Sequence, residues 1–284
     1  MIFPHLIDLH IHSAPDIRPR RHTDLELAAA ARTAEARAIV IKSHHVPTMD
    51  RAWHTSQATP GLTVFGGLAL NWPAGGLNTH AVAAALHQGA KIVWLPTLHA
   101  RNHRSKEGLR DGIEVTRDGR VVEALKGILE QIAEADAILA TGHIGADEIP
   151  LVVAAALERK VRKIVITHPE HDIVGLSLDL QKSLLRDCPT VVFERHYAQP
   201  DGKRGYKMNF ATNLLALKEL GAASTVLATD AGQVENLPWA QCWERYLAYL
   251  REHGVNETDL ARMCADTPAA LLNLPPARSA ASIA

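Results

Sequence analysis

Short runs of apolar and β-branched residues alternate along the chain with longer stretches rich in alanine and leucine. Several of the short runs are apolar almost throughout, as in Ala38-Ile39-Val40-Ile41 and Ile164-Val165-Ile166, which is typical of parallel strands covered on both faces. The pattern predicts eight strands, at residues 5–12, 38–44, 62–70, 90–96, 137–143, 162–168, 190–196 and 224–230.

Helical patterns separate the predicted strands. The first, at residues 24–36, begins with the capping-box sequence Thr23-Asp24-Leu25-Glu26. Other helices are predicted at residues 49–59, 79–88, 239–253 and 257–264. Repeated alternation of strand and helix predicts an α/β protein with a closed (β/α)8 TIM-type barrel, in one domain over residues 1–284. An open doubly wound sheet is the alternative.

The segment between predicted strands four and five is longer than a connecting helix requires. Within residues 97–120, Asp118-Gly119 is flanked by β-forming residues and predicts a hairpin. Loops of this length are usually functional. We therefore expect an elaborated loop and hairpin after strand four, above the barrel.

Composition and charge favour a small-molecule partner. The formal net charge of −1 gives no basis for binding nucleic acid or a membrane surface. The three cysteines are far apart, which excludes a disulfide framework. The N-terminus resembles no secretory signal, and no stretch approaches about 18 apolar residues, so a cytoplasmic protein is expected. A homo-oligomer is left open.

Histidine is the compositional outlier, with 16 residues, and several lie at the ends of predicted strands. His10 and His12 are two positions apart at the end of strand one, so both side chains point to one face. Strands five, six and eight end in His143, His168 and Asp230. Imidazole and carboxylate groups are common metal ligands, and strand ends of a barrel meet at one rim. The pattern predicts a metal centre there.

At these residues the chain resembles the amidohydrolase superfamily, whose metal-dependent barrels use His-x-His on strand one, histidines on strands five and six, and an aspartate on strand eight. The stretch 266–274 is also similar to one common near the end of such proteins. The resemblance implies one or two divalent ions, with zinc expected first and manganese or iron as alternatives. It implies that His10, His12, His143 and His168 are metal ligands, and that Asp230 is both a ligand and the catalytic proton shuttle.

The chain departs from the superfamily at strand four. Many dinuclear members place a carboxylated lysine or a glutamate at the end of that strand as a bridge, but here the only lysine of the strand, Lys91, lies at its start. Lys42, at the tip of strand two, is the first substitute, since a lysine that closes an apolar strand must find a partner or change its charge. Glu194 on strand seven is the second. A single-metal site remains if neither bridges.

Substrate contacts are expected from the loops at the same rim. Arginine in these loops suits a carboxylate or phosphate, because its planar donor fork matches both groups. His44 and His45 are also candidates for orienting metal ligands. The candidate substrate-facing residues are Asp16, Arg18, His44, His45, His99, Arg101, His103 and Glu194.

Together these features predict a metal-dependent hydrolase that uses activated water to cleave an amide, lactone or other ester bond of a small substrate, with an anionic one favoured by the arginines. The choice of bond follows from the resemblance, because the spacing of ligands does not distinguish cleavage of C–N from cleavage of C–O. A metal-dependent decarboxylase on the same barrel is one alternative. A barrel that binds a small anion without catalysis is another.

Overall fold

Eight parallel strands form a closed barrel in the computed structural model, which describes residues 2–202 and 205–275. Each strand pairs with the next in chain order. Backbone hydrogen bonds from His12 N to Ala231 O (2.8 Å) and from Asp230 N to His10 O (3.0 Å) join the last strand to the first. The predicted TIM-type barrel is confirmed. Its strands, β1 to β8, are Ile7–Ile11, Ala38–Ile41, Thr63–Ala69, Ile92–Trp94, Ile138–Ala140, Ile164–Thr167, Val192–His196 and Thr225–Ala228.

Helices follow the strands and cover the barrel. The first begins where the sequence predicts, because the Thr23 side chain accepts from Glu26 N (3.2 Å) and the Glu26 carboxylate accepts from Thr23 N (2.8 Å). Among the described residues, no helix is long and apolar enough to cross a membrane. The α-helices are Asp24–Thr33, Met49–Ala58, Thr79–His87, Arg101–Lys106, Glu123–Glu134, Glu148–Glu158, Leu178–Asp187, Phe210–Leu220, Trp239–Glu252, Glu257–Ala261 and Thr267–Leu271.

Several strands end earlier than predicted because the backbone turns out of the sheet at the rim. Gly142, His168 and Asp230 have φ values of 63°, 54° and 51°, in the left-handed region. The regular strands therefore end before these positions, although single backbone hydrogen bonds continue past Ala228 between β8 and β1. The turns place the side chains of His168 and Asp230 above the barrel, where side chains of different strands can meet.

Two hairpins project from the rim. The predicted one is confirmed, with Thr116–Arg117 paired to Arg120–Val121 after β4. A second hairpin, Ala198–Asp201 with Gly205–Met208, follows β7 and was not predicted. The Asp-Gly sequence within it is the same local signal that identifies the first.

A buried carboxylate fixes the strand that carries the His-x-His pair. Asp8 accepts hydrogen bonds from Thr229 Oγ1 (2.6 Å), Trp239 Nε1 (2.9 Å) and Trp243 Nε1 (3.0 Å). It also accepts from the backbone N–H of His10 (3.1 Å). Burial raises the pKa of Asp8 to about 6, and the surrounding donors offset part of the cost of burying its carboxylate. Asp8 thereby ties β1 to the end of β8 and to the helix that follows.

Candidate metal centre

The strand-end residues His143, His168 and Asp230 line a cavity of about 400 Å³ at the C-terminal rim of the barrel, and His10 and His12 are buried. Among the described residues, two overlapping groups of side chains bring their ligand atoms within 4.8 Å of one another. Both groups contain His10. The first adds His12 and Asp230, and the second adds His168 and His196.

His10 is completely buried, and its partners define the state of its ring. Its Nδ1 lies 3.1 Å from Glu194 Oε2, and an ionised carboxylate can only accept, so Nδ1 carries the proton. Burial, together with the charge of Lys42, holds the pKa of His10 well below its ordinary value. The neutral ring therefore presents an unprotonated Nε2 toward Asp230 Oδ1, 3.5 Å away.

Asp230 supplies the anionic group of the cluster. Its Oδ1 lies 3.1 Å from His12 Nε2, and its Oδ2 lies 3.9 Å from His168 Nε2. Burial alone would raise the pKa of this carboxyl, but the hydrogen bond from His12 and positive neighbours hold it well below its usual range. An anionic oxygen among neutral imidazoles is the donor set that zinc and related divalent ions take. The residues therefore fit a divalent ion.

Lys42 extends from the tip of β2 into the same cluster. Its side chain is buried, its Nζ donates to His10 Nε2 at 2.9 Å, and it lies 5.3 Å from the centre of the Trp94 ring. Burial lowers the pKa of Lys42 to about 8, so a fraction of the amine is uncharged at neutral pH. A bound ion at His10 Nε2 requires Lys42 to give up this hydrogen bond. The predicted bridging role of Lys42 remains a prediction.

His143 lies on the cavity wall, outside both groups of potential ligands found among the described residues. Its Nδ1 is 2.8 Å from His103 Nδ1, and the two rings are stacked with centroids 5.0 Å apart. The centre of its ring is 5.2 Å from that of His168. His143 therefore borders the cluster without converging on the atoms that His10 and Asp230 share.

The substrate-facing candidates divide into two sets. Arg18, His44, His45 and His103 line the cavity, and Glu194 lies beneath it against His10.

Three other candidates are absent from the described cavity lining, and each has a local partner. Asp16 forms a buried ion pair with Arg20 at 2.6 Å. His99 packs on Trp72, with ring centroids 4.3 Å apart. Arg101 pairs with Glu114 at 2.9 Å on the loop after β4. The expectation of substrate contact therefore finds no support for Asp16, His99 and Arg101.

The structure adds residues to the site that the sequence analysis overlooked: Arg20, His171, His196, Tyr206 and Gln233. His196 ends β7 just as His168 follows β6, so the same strand-end pattern could have identified it. Its position two residues after Glu194 also places both side chains on the inner face. His171 lies three residues after His168, and its buried Nε2 has no hydrogen-bond partner in the described structure.

The sequence matches the profile of a protein family. Residues 5–194 match the profile of a family of unknown function (DUF6282), and the chain belongs to that family. The curated proteins include no match to the sequence.

Solved structures with similar folds span nearly the whole chain. A protein from Pseudomonas putida assigned as a 2-pyrone-4,6-dicarboxylic acid hydrolase has a TM-score of 0.61 and 16% identity, over 95% of this chain and 97% of its own. The organophosphorus hydrolase of Deinococcus radiodurans has a TM-score of 0.59 and 16% identity, over 93% of this chain and 92% of its own. A 2,6-dihydroxybenzoate decarboxylase from Rhizobium has a TM-score of 0.59 and 11% identity, over 95% of this chain and 99% of its own. The likeness confirms the (β/α)8 barrel fold that the alternation of strands and helices predicts.

Proposed function

We propose that this protein is a metal-dependent hydrolase that cleaves a lactone, another ester or an amide bond of a small anionic substrate. The observation that carries the proposal is the convergence of His10 Nε2 and His168 Nε2 on the two oxygens of Asp230, at 3.5 Å and 3.9 Å, on the floor of a cavity. Similar barrels that include hydrolases support the reaction class by analogy.

The chemistry follows from the donor set. A divalent ion held by these residues would lower the pKa of a water molecule and polarise the bond to be cleaved. Asp230 is the proposed proton acceptor, since it is the anionic group of the cluster and its Oδ1 faces both His10 Nε2 and His12 Nε2. Glu194 holds His10 from below and keeps its Nε2 directed at the cluster. Zinc is the expected ion, and manganese or iron would also suit nitrogen and oxygen ligands.

The cavity favours a small anionic substrate. A volume of about 400 Å³ lies in the range of small-molecule sites. Arg18 and Lys106 are on its wall, and the Arg18 side chain is 50% exposed and contacts Glu235 at 3.3 Å. Such cations would attract a carboxylate or phosphate. The three cysteines are buried thiols, which supports the reducing cytoplasm as the location.

A carbon–carbon lyase is the second candidate, because one similar barrel is a decarboxylase and the same donors could stabilise an enolate. To separate the two, the protein is loaded with Zn²⁺, Mn²⁺ or Fe²⁺ and offered carboxylated lactones, esters, amides and aromatic acids. We expect acid release from an ester or lactone that a chelator abolishes and metal restores. Release of CO2 without hydrolysis would favour the lyase, and failure to bind any metal would refute both.

Lys42 is proposed to bridge two ions after carboxylation of its amine. Lys42→Met should then lower the bound metal from two ions to one per chain, and bicarbonate should assist loading of the wild type but not of the variant. Elemental analysis measures the stoichiometry. Lys91→Met is the matched control, because Lys91 lies over the Phe65 ring, at the opposite end of its strand from the rim. If Lys42→Met still binds two ions per chain, the bridging ligand would be Glu194 or water instead of Lys42.

A further inference from the structure

The short helix after β4, Arg101–Lys106, forms part of the cavity wall. His103 and Lys106 are three positions apart, so they lie on the same side of the helix, and both line the cavity. Asn102 fixes the helix in place, because its Nδ2 donates to the backbone carbonyl of Ile173 at 2.7 Å. The helix therefore presents Lys106 to the cavity from a held position.

Two arginines of the cavity wall, Arg18 and Arg20, already have carboxylate partners. Arg20 forms a buried ion pair with Asp16 at 2.6 Å. Arg18 contacts Glu235 at 3.3 Å. A paired arginine must lose its partner before it can bind the carboxylate of a ligand, and the exchange of one carboxylate for another gains little free energy. The arginines are therefore poor candidates for the main anion-binding group.

Lys106 differs from these arginines, because no carboxylate balances its charge. Its Nζ donates to the main-chain carbonyl of Asp172, and in the part of the chain that the structure describes no carboxylate lies within ion-pair distance of it. The carboxylate of Asp172 is itself paired with Lys207 at 2.7 Å. A neutral carbonyl uses one of the three ammonium donors and leaves the positive charge in place. Lys106 is therefore available to an anion.

The wall next to Lys106 is apolar. Leu98 lies before the same helix, and Ile173 follows the residue whose carbonyl accepts from Lys106. Both residues line the cavity. Apolar groups beside a single cation suit a ligand that combines an apolar body with one anionic group.

Lys106 is also set apart from the proposed metal centre. It lies almost one helical turn beyond His103, a rise of about 4.5 Å. His103 Nδ1 is 2.8 Å from His143 Nδ1, and the centre of the His143 ring is 5.2 Å from that of His168. The helix thus approaches His168 through two intervening rings. An anionic group at Lys106 is therefore distinct from the group that the metal would polarise.

We infer that Lys106 binds a carboxylate of the substrate, and that an apolar body separates this carboxylate from the bond to be cleaved. The inference rests on the proposed function and deepens it, because it names the substrate class. Lys106 donates to the carboxylate, and Leu98 and Ile173 pack on the apolar body. One lysine balances the single charge of a carboxylate but not the charge of about −2 on a phosphate monoester.

The carboxylate site can be tested without metal, by NMR titration of chelator-treated protein with benzoate and with benzamide, its uncharged counterpart. The wild type should prefer benzoate. Lys106→Met should weaken benzoate binding by about 10-fold, because a charged hydrogen bond is lost, and affect benzamide much less. Lys106→Arg keeps the charge and should keep the preference. Lys126→Met is the matched control, because Lys126 pairs with Glu123 at 2.7 Å on a helix outside the described cavity lining.

Three results of this titration would overturn the inference. The first is benzoate binding by Lys106→Met at the strength of the wild type. The second is a larger loss in Arg18→Met than in Lys106→Met. The third is a wild type that binds benzamide as well as benzoate. Tighter binding of phenyl phosphate than of benzoate would overturn the choice of a carboxylate.

A kinetic measurement separates this inference from the proposed function. For metal-loaded protein and a carboxylated ester that it hydrolyses, Lys106→Met should raise KM more for that ester than for its uncharged methyl ester. Hydrolysis with equal effects on the two esters would overturn the inference and leave the proposed function intact. Benzoate binding that depends on Lys106, in a protein that binds no metal, would support the carboxylate site and refute the proposed function.

Discussion

Replacement of His10 by alanine is expected to weaken metal binding by more than about 100-fold. Loss of a direct ligand should exceed the roughly 10–100-fold cost of losing a group that only orients a ligand. His10 belongs to both groups of converging ligand atoms, so its removal affects either arrangement. The barrel should remain folded, because its core is formed by apolar neighbours such as Leu9 and Ile11.

The measurement is the metal content of purified protein after equilibration with buffered Zn²⁺, supported by circular dichroism to verify folding. His168→Ala should behave in the same way. His80→Ala, on an exposed helical position, is the control and should bind metal like the wild type. Full metal occupancy in both His10→Ala and His168→Ala would refute a common metal centre at these residues.

Asp230→Asn is expected to slow turnover far more than it weakens metal binding. The amide keeps the size of the side chain and one oxygen ligand, but it cannot accept a proton from water. General acid–base groups typically contribute 10²–10⁴-fold, equivalent to about 3–5 kcal/mol of activation free energy. We expect a loss of that size in turnover of whichever substrate the panel identifies.

The comparison requires equal metal occupancy in the two proteins. Asp179→Asn, which removes an exposed carboxylate on a helix remote from the cavity, is the matched control. A rate for Asp230→Asn within about threefold of the wild type would assign proton transfer to another residue. His44, which lies on the cavity wall and stacks on His12, would be tested next.

The order of strands and helices is predictable from the sequence because parallel strands covered on both faces need apolar runs, and such runs recur eight times. The strand-end positions of His10, His168 and Asp230 follow from the same pattern. The exact ends of the strands do not follow from this pattern, since the left-handed turns at His168 and Asp230 occur at residues other than glycine. Aspartate and histidine adopt this conformation more often than most residues do, but too rarely for the sequence to locate the turn.

The roles of the loop residues could not be predicted, because they depend on partners distant in the sequence. Arg101 and His99 follow β4, yet Glu114 and Trp72 hold them away from the cavity. The spacing of His10 and His12 predicts a shared face but not which nitrogen of the His10 ring carries a proton. That assignment requires Glu194 to be located in space.

Closure of the barrel gives this site a particular order of assembly. His10 is on the first strand of the barrel and Asp230 follows the eighth, so the two meet only when β8 docks against β1. A nascent chain that ends before Thr225 already contains His10, His12 and His168 but lacks the carboxylate. Contacts between such distant segments form late in folding. An ion that binds only the completed cluster would therefore hold the first and last strands together and stabilise the finished barrel against reopening.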